Sequence, residues 1–286
     1  MASAFETRCS SIEEFQELLE VSPELQSEME GFEHALLMPL QFDVAGQCAV
    51  CEAAVAFGVD FQWSFASRNG QPVPNWRESL SCPKCHLNNR MRASAAYMLA
   101  NSGPDDVVFL TEMLTPLFTT LESRRPYAIG SEFLGLGTPG GTINEQGVRH
   151  EDVARLSFAD GSLGLIGTFD VLEHVPAYTE AMSEFFRCLR PGGMLVATVP
   201  FDLFAPMTVT RATVDADGNV THFLEPEIHG NPIDPAGSLC YYNHGWEFVD
   251  RLREAGFVDA GVTLYWNPDL GYLGSFQSLI TGRKPV

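Results

Sequence analysis

Apolar and polar positions along this chain follow three successive patterns. From Ser10 to Leu37 (SSIEEFQELLEVSPELQSEMEGFEHALL), leucines and phenylalanines recur at helical spacing among glutamates. This predicts two short amphipathic helices, with Ser11 as N-cap of the first and a break at Ser22-Pro23. Their polar face is acidic, whereas a membrane-surface helix wants a basic one, so they are expected to pack against a neighbouring domain. From Gln41 to Met91 the pattern shortens to β-like pieces and turns, and Arg92 to Asn101 (RASAAYMLAN) reads as a helix closing that module.

From Gly103 onward, strand-like and helix-like periods alternate. Strands are predicted at Asp106–Glu112, Tyr127–Phe133, Val148–His150, Leu163–Asp170, Met194–Pro200, Val258–Tyr265 and Ser275–Thr281, and helices at Thr115–Arg125, Tyr178–Leu189 and His244–Ala255. Such alternation predicts an α/β fold with a doubly wound sheet, whose ligand crevice lies at the carboxyl ends of the strands. The expected organisation is N-terminal helices over 1–40, a cysteine-bearing module over 41–102 and an α/β domain over 103–286, interrupted by an insertion at 202–242. No internal repeat is visible.

Composition narrows the function classes. With 286 residues, 45% of them hydrophobic, the chain can bury one large core and a small satellite. No apolar run approaches the ~18 residues of a membrane span, and Met1 to Cys9 has neither a basic nor an apolar leader region. Neither membrane span nor signal peptide is expected, which makes the cytoplasm the default compartment. The formal charge of −20, from 37 acidic against 17 basic residues, opposes phosphate backbones and argues against nucleic acid as a partner. The same charge also reads simply as a solubilising surface.

Four of the seven cysteines stand in two pairs, Cys48-Ala-Val-Cys51 and Cys82-Pro-Lys-Cys85, thirty residues apart. Four thiolates on two tight turns suit tetrahedral Zn²⁺ and leave no open position, so the expected metal is structural. His86 is a candidate competing ligand or a surface residue. Asn88, Asn89, Arg90 and Arg92 either bind an anionic group or cap the next helix and pair with acidic neighbours. Cys9, Cys188 and Cys240 read as small buried hydrophobes, with nothing near them in sequence to suggest chemistry.

The most informative stretch is Gly147 to Phe201, GVRHEDVARLSFADGSLGLIGTFDVLEHVPAYTEAMSEFFRCLRPGGMLVATVPF. Over about 55 residues it resembles the class I S-adenosylmethionine-dependent methyltransferases: an acid after the third strand, a turn of the type SFADGS into the fourth, DVLEHV ending it, and LRPGG entering the fifth. The resemblance implies a seven-stranded Rossmann-like sheet and a bound S-adenosylmethionine. By position, Glu132 in YAIGSEFLG would hold the ribose hydroxyls, Asp152 and the backbone of Val153 would meet adenine, and Phe169 and Asp170 would flank the methionine part. The usual glycine-rich first turn is replaced by Phe109-Leu110-Thr111-Glu112-Met113-Leu114-Thr115-Pro116. There Glu112 would face the methionine amine, and Thr115 would cap the following helix. Each acid also has an ordinary reading, Glu132 and Asp152 as solvated loop acids and Asp170 as a helix cap. His174, beside Glu173, reads as a base or as a structural histidine.

The insertion places His222, Glu225, Glu227 and His229 within eight residues, a spacing that suggests acid/base chemistry, a second metal, or local hydrogen bonds. Tyr241, Tyr242, His244 and Trp246 follow as an aromatic wall for an acceptor. Methyl transfer is an in-line displacement at an activated carbon, so the protein chiefly positions the nucleophile, and a base is needed only for a protonated acceptor. The candidate bases are His229, then His222, then His244. The expected partner is a small-molecule acceptor at an oxygen or nitrogen; a homodimer is left open, as is recruitment of a protein by the cysteine module. From a different class, a non-catalytic binding or scaffold protein on the same fold is motivated by the altered first turn.

Overall fold

The computed structural model describes residues 4–38, 41–66, 70 and 72–286. The expected boundary at residue 40 lies outside these. Strand β1 (Phe5–Cys9) leads into helices α1 (Ile12–Val21) and α2 (Leu25–Leu36). A hairpin, β2 (Phe42–Cys48) and β3 (Ala53–Val59), is followed by the short pair β4 (Phe65–Ala66) and β5 (Pro72–Val73) and by α3 (Asn89–Ala100). Next come β6 (Val108–Leu110), α4 (Pro116–Glu122), β7 (Ala128–Gly130), β8 (Leu163–Phe169), a single 3-10 turn at Leu172–His174, α5 (Tyr178–Cys188) and β9 (Leu189–Thr198). The insertion folds as short pieces: β10 (Val209–Thr210), β11 (Ala212–Val214), β12 (Val220–His222), β13 (Ile228–His229), β14 (Ser238–Leu239) and β15 (Tyr242–Asn243). Helix α6 (Glu247–Glu254) and the long strands β16 (Val258–Asn267) and β17 (Tyr272–Arg283) complete the chain.

The expected seven-stranded α/β sheet is present, in the order β1-β16-β17-β9-β8-β6-β7. Strands β7, β6, β8 and β9 run parallel, and β17 joins β9 antiparallel. Several strands differ from expectation. Val148–His150 makes only isolated bridges, His150 to Glu132 and Arg149 to Ile143. In exchange β1, whose short run FETRC gave no signal, supplies the outer edge. Strand β9 starts five residues before the predicted Met194, because Leu163 pairs with Leu189 and Leu165 already with Met194. The intervening Arg190-Pro191-Gly192-Gly193 is extruded as a bulge, and Gly192 at φ 75° takes a backbone conformation that other residues enter at a cost.

The chain divides into two compact units. The first holds residues 4–9, the described part of 13–101, and 263–279. Its core includes Phe15, Phe57, Leu80, Met98 and Trp266. Helices α1 and α2 break at 22–24, as the Ser22-Pro23 pair predicts. Helix α3 begins at Asn89 rather than Arg92, because the Asn88 side chain caps it, accepting from the Met91 amide at 2.9 Å.

The second unit holds 10–12, 102–262 and 280–286. Every residue of β8 is buried, the signature of a central parallel strand covered on both faces. Helix α5 buries Tyr178, Ala181, Met182, Phe185 and Cys188, an apolar stripe at three- and four-residue steps. Among the described residues no helix is long and apolar enough to cross a membrane.

Candidate functional site

In the second unit, Glu112 and Thr115 follow β6, Glu132 follows β7, and Phe169 and Asp170 lie at the end of β8. Thr115 caps α4 as anticipated, its Oγ1 accepting from the Phe118 amide at 3.2 Å, with Pro116 at the first helical position. Glu132, directly after β7, is almost wholly buried. Its Oε1 accepts both the Met113 amide at 2.8 Å and the Leu114 amide at 2.9 Å. One carboxylate thus holds the loop after β6 in the absence of the usual glycines. The close approach is permitted by a glycine one strand away: a Cβ at Gly130 would lie 2.8 Å from the Glu112 carbonyl and 2.7 Å from the Phe118 ring.

Asp170 sits at the end of β8 with φ 54°, a left-handed conformation that costs a non-glycine residue free energy. Its Oδ1 accepts from Thr198 Oγ1 at 3.0 Å, which fixes the carboxylate between β8 and β9. Phe169 beside it is buried. Asp152 is half-buried and closes a local turn, its Oδ1 accepting from the Ala154 amide at 3.0 Å, with Val153 inside that turn. Two neighbours had not been singled out. Glu151 is buried and accepts from Arg149 Nη2 at 2.6 Å and Ser157 Oγ at 2.6 Å, and His150 Nδ1 accepts the Leu134 amide at 2.9 Å. In sequence His150 reads only as the end of the predicted strand Val148–His150, and Glu151 as an ordinary residue after it.

The three histidine candidates fall in different surroundings. His222 is exposed on β12. His244 is fully buried against the rings of Tyr178, Tyr242 and Phe248, at 5.0, 5.6 and 4.8 Å, and burial drives its pKa down to about 3, leaving it neutral. His229 is half-buried on β13, with Nε2 3.1 Å from Glu227 Oε1. Its pKa is pushed up to about 11, first by the Cys240 sulfur and then by Glu173. His174 stands edge-on to it at 5.0 Å. Burial raises Glu173, and although burial also pushes the Cys240 thiol up, the imidazoles of His174 and His229 bring it below its ordinary value. The structure therefore joins His229 not with His222 but with Glu173, His174 and Cys240, a grouping the sequence hid behind 66 residues separating His174 from Cys240.

In the first unit the four cysteines converge. Cys48 and Cys85 sulfurs are 3.9 Å apart, as are those of Cys51 and Cys82. Around a tetrahedral Zn²⁺ with bonds of about 2.3 Å, sulfurs stand roughly 3.8 Å apart. Each pair forms a tight turn with an amide pointing at sulfur, Cys51 N to Cys48 and Lys84 N to Cys82, both at 3.4 Å. Each turn ends on a left-handed residue, Glu52 at φ 52° and His86 at φ 61°. Cys48 is drawn down to about 4 by the Cys85 thiol, and the same contact raises Cys85. His86 is exposed and outside the cluster. The polar string after Cys85 caps and pairs rather than facing a ligand: Arg90 Nε meets Glu78 at 3.0 Å, Asn88 donates to Glu78 at 2.9 Å, and Asn89 donates to the carbonyls of Trp76 and Leu273.

Parts of this chain are similar to known proteins. A methyltransferase-domain family profile matches residues 133–197. A Mycolicibacterium smegmatis protein with the curated name "Probable S-adenosylmethionine-dependent methyltransferase" is 38% identical over 53 residues, 18% of this chain. That match spans about a fifth of the relative's length (21%). Among solved structures, an S-adenosylmethionine-dependent methyltransferase from Mesorhizobium loti aligns over 67% of this chain and 98% of its own, at 16% identity and a TM-score of 0.39. The Burkholderia thailandensis 1,6-didemethyltoxoflavin-N1-methyltransferase, bound to 1,6-didemethyltoxoflavin and S-adenosylhomocysteine, aligns over 68% and 78%, at 20% identity and a TM-score of 0.36.

Proposed function

We propose that this chain is an S-adenosylmethionine-dependent methyltransferase acting on an oxygen or nitrogen of a small-molecule acceptor, with a structural zinc in its four-cysteine module. The observation that carries the reading is the position of the family match: residues 133–197 run from the end of β7 through β8 to β9, the strand ends where an open α/β sheet binds ligands. The residues at that edge fit the cofactor. Glu132 Oε1 is occupied by two amides, which leaves Oε2 as the oxygen for the ribose hydroxyls. Asp152 and the Val153 backbone would meet adenine, and Glu112, Phe169 and Asp170 the methionine end. When bound, S-adenosylmethionine supplies a methyl group on a sulfonium, and the residues around it orient the acceptor and exclude water. The candidate bases for a protonated acceptor remain His229, then His222, then His244; with its pKa pushed up to about 11, His229 can act only from a ring that carries neither the extra proton nor a metal.

The four thiolates fit zinc: their spacing matches a tetrahedral ion, and no position is left open for substrate. Isothermal titration with S-adenosylmethionine and S-adenosylhomocysteine tests the first reading, with micromolar binding expected. Absence of binding by folded protein would turn the assignment to a non-catalytic scaffold. One observation favours that second reading: Glu132 already clamps Met113 and Leu114, which is work enough for a buried acid.

A further inference from the structure

At the carboxyl end of β8, the Glu173 side chain has no exposure to solvent, and neither of its oxygens has a hydrogen-bond partner among the described residues. A buried ionised carboxylate left in that state is strongly unfavourable. The groups facing it are two imidazole nitrogens, His174 Nε2 and His229 Nδ1, each 3.7 Å from Glu173 Oε1. That separation is too long for a hydrogen bond. The opposite nitrogen of each ring is held from outside: His174 Nδ1 lies 2.9 Å from the Leu239 carbonyl, and His229 Nε2 lies 3.1 Å from Glu227 Oε1. An imidazole anchored through its outer nitrogen to a carbonyl or carboxylate presents the inner one as a metal ligand. The Cys240 sulfur lies 3.8 Å from His174 Nδ1, the nitrogen that also meets the Leu239 carbonyl. Ligand atoms of His174, His229 and Cys240 all lie within 4.8 Å of one another.

We propose that His174, His229 and Cys240 form a second metal site, for a divalent ion of the zinc class, separate from the four-cysteine site, with Glu173 as the buried carboxylate beside it. Bonds of about 2.0–2.3 Å in a tetrahedron put ligand atoms roughly 3.3–3.8 Å apart, so an ion need draw the trio, whose ligand atoms all lie within 4.8 Å of one another, together by no more than about 1.5 Å. Two imidazoles and a thiolate are borderline to soft donors, which select zinc-like ions and not Mg²⁺ or Ca²⁺. The ion's charge would offset the buried Glu173 carboxylate that faces both imidazoles, and its ligands would fasten the insertion to the turn after β8. This site stands whether or not the chain transfers methyl groups.

The test is metal stoichiometry of the full chain, stripped with chelator and titrated with Zn²⁺ against a chromophoric competitor, with near-ultraviolet circular dichroism to confirm folding. Wild type is expected to bind two equivalents. Cys240→Ser and His229→Ala should each bind one, and Glu173→Gln, nearly isosteric, should weaken the second equivalent at least tenfold. Cys82→Ser should also retain one equivalent, which keeps this site distinguishable from the cysteine module. One equivalent in wild type that survives in Cys240→Ser, or unchanged stoichiometry and affinity in folded Glu173→Gln, would overturn the proposal and leave a metal-free imidazole–thiolate cluster.

Discussion

Glu132 Oε1 accepts the backbone amide of Met113 at 2.8 Å, tying the end of β7 to the loop that follows β6. The same oxygen takes the Leu114 amide, so the acid proposed to bind ribose also holds the crevice in shape. The two roles separate by substitution. Glu132→Ala is expected to weaken S-adenosylmethionine binding at least tenfold, about 1.5 kcal/mol for a charge-assisted hydrogen bond, and to lower Tm as two amides lose their acceptor. Glu132→Gln keeps an oxygen for the amides and should retain Tm while losing affinity. Calorimetric binding and melting of both variants decide it: a lower Tm with unchanged affinity in Glu132→Ala assigns the residue to the loop alone.

The cysteine module makes a separate prediction. Cys82→Ser removes one of four sulfurs from a group whose paired distances are already those of a zinc tetrahedron. The protein should lose one equivalent of zinc, and the hairpin of β2 and β3 should lose protection in hydrogen exchange, because binding free energy at such a site is folding free energy. Unchanged zinc content and exchange would remove the four-thiolate assignment.

What was legible in the sequence was what period and short spacing encode. Helices α1, α2 and α5 and the buried strand β8 followed from apolar periodicity, and the cysteine pairs from their own spacing. Two kinds of feature were not legible. Five-residue β1 carries only an alternation too short to distinguish from a loop, and its place in the sheet depends on pairing with β16, more than 200 residues away. Cys240 looked inert because the groups that alter it, His174 and His229, reach it only when the insertion folds back. The clamp that Glu132 forms on the loop after β6 was hidden for a related reason, since its amide donors lie 18 and 19 residues upstream in a loop of no regular period.

Asp106 gives the second unit an acid-sensitive anchor. Its carboxylate, mostly buried, meets Arg190 Nη2 at 2.7 Å and the Gly103 amide at 2.7 Å. Burial alone would raise its pKa, but Arg190 and the Gly103 amide together bring it below the ordinary 3.8. A depressed folded pKa means stability present at neutral pH, beginning to fall near the unfolded value and lost as pH drops through the folded one. Asp106→Asn should be less stable than wild type by about 1 kcal/mol at pH 7, modest because Arg190 is half-exposed. In denaturant unfolding from pH 7 to pH 2, the gap should narrow below about pH 4; a gap independent of pH would show that the pair contributes packing and not charge.

Arg92 ties the cysteine site to the core of the first unit. Its side chain is fully buried, and it donates to the carbonyls of Leu270 at 2.6 Å and Gly271 at 2.7 Å. The guanidinium lies 3.9 Å from the centre of the Phe57 ring. Burial pulls the guanidinium pKa down, while the Tyr272 hydroxyl and the sulfurs of Cys48, Cys82 and Cys85 oppose that pull. Four thiolates around Zn²⁺ carry a net double negative charge, so the loaded site is the natural counter-charge for this arginine. Arg92→Met fills similar volume without charge or donors. It should destabilise the protein by about 2–4 kcal/mol, from two buried carbonyls left unpaired, and should also weaken zinc about tenfold, some 1.4 kcal/mol. The diagnostic quantity is the coupling: stripping zinc should cost wild type more stability than it costs Arg92→Met. Equal losses in both proteins would reduce Arg92 to a packing residue and leave the charge of the metal site balanced elsewhere.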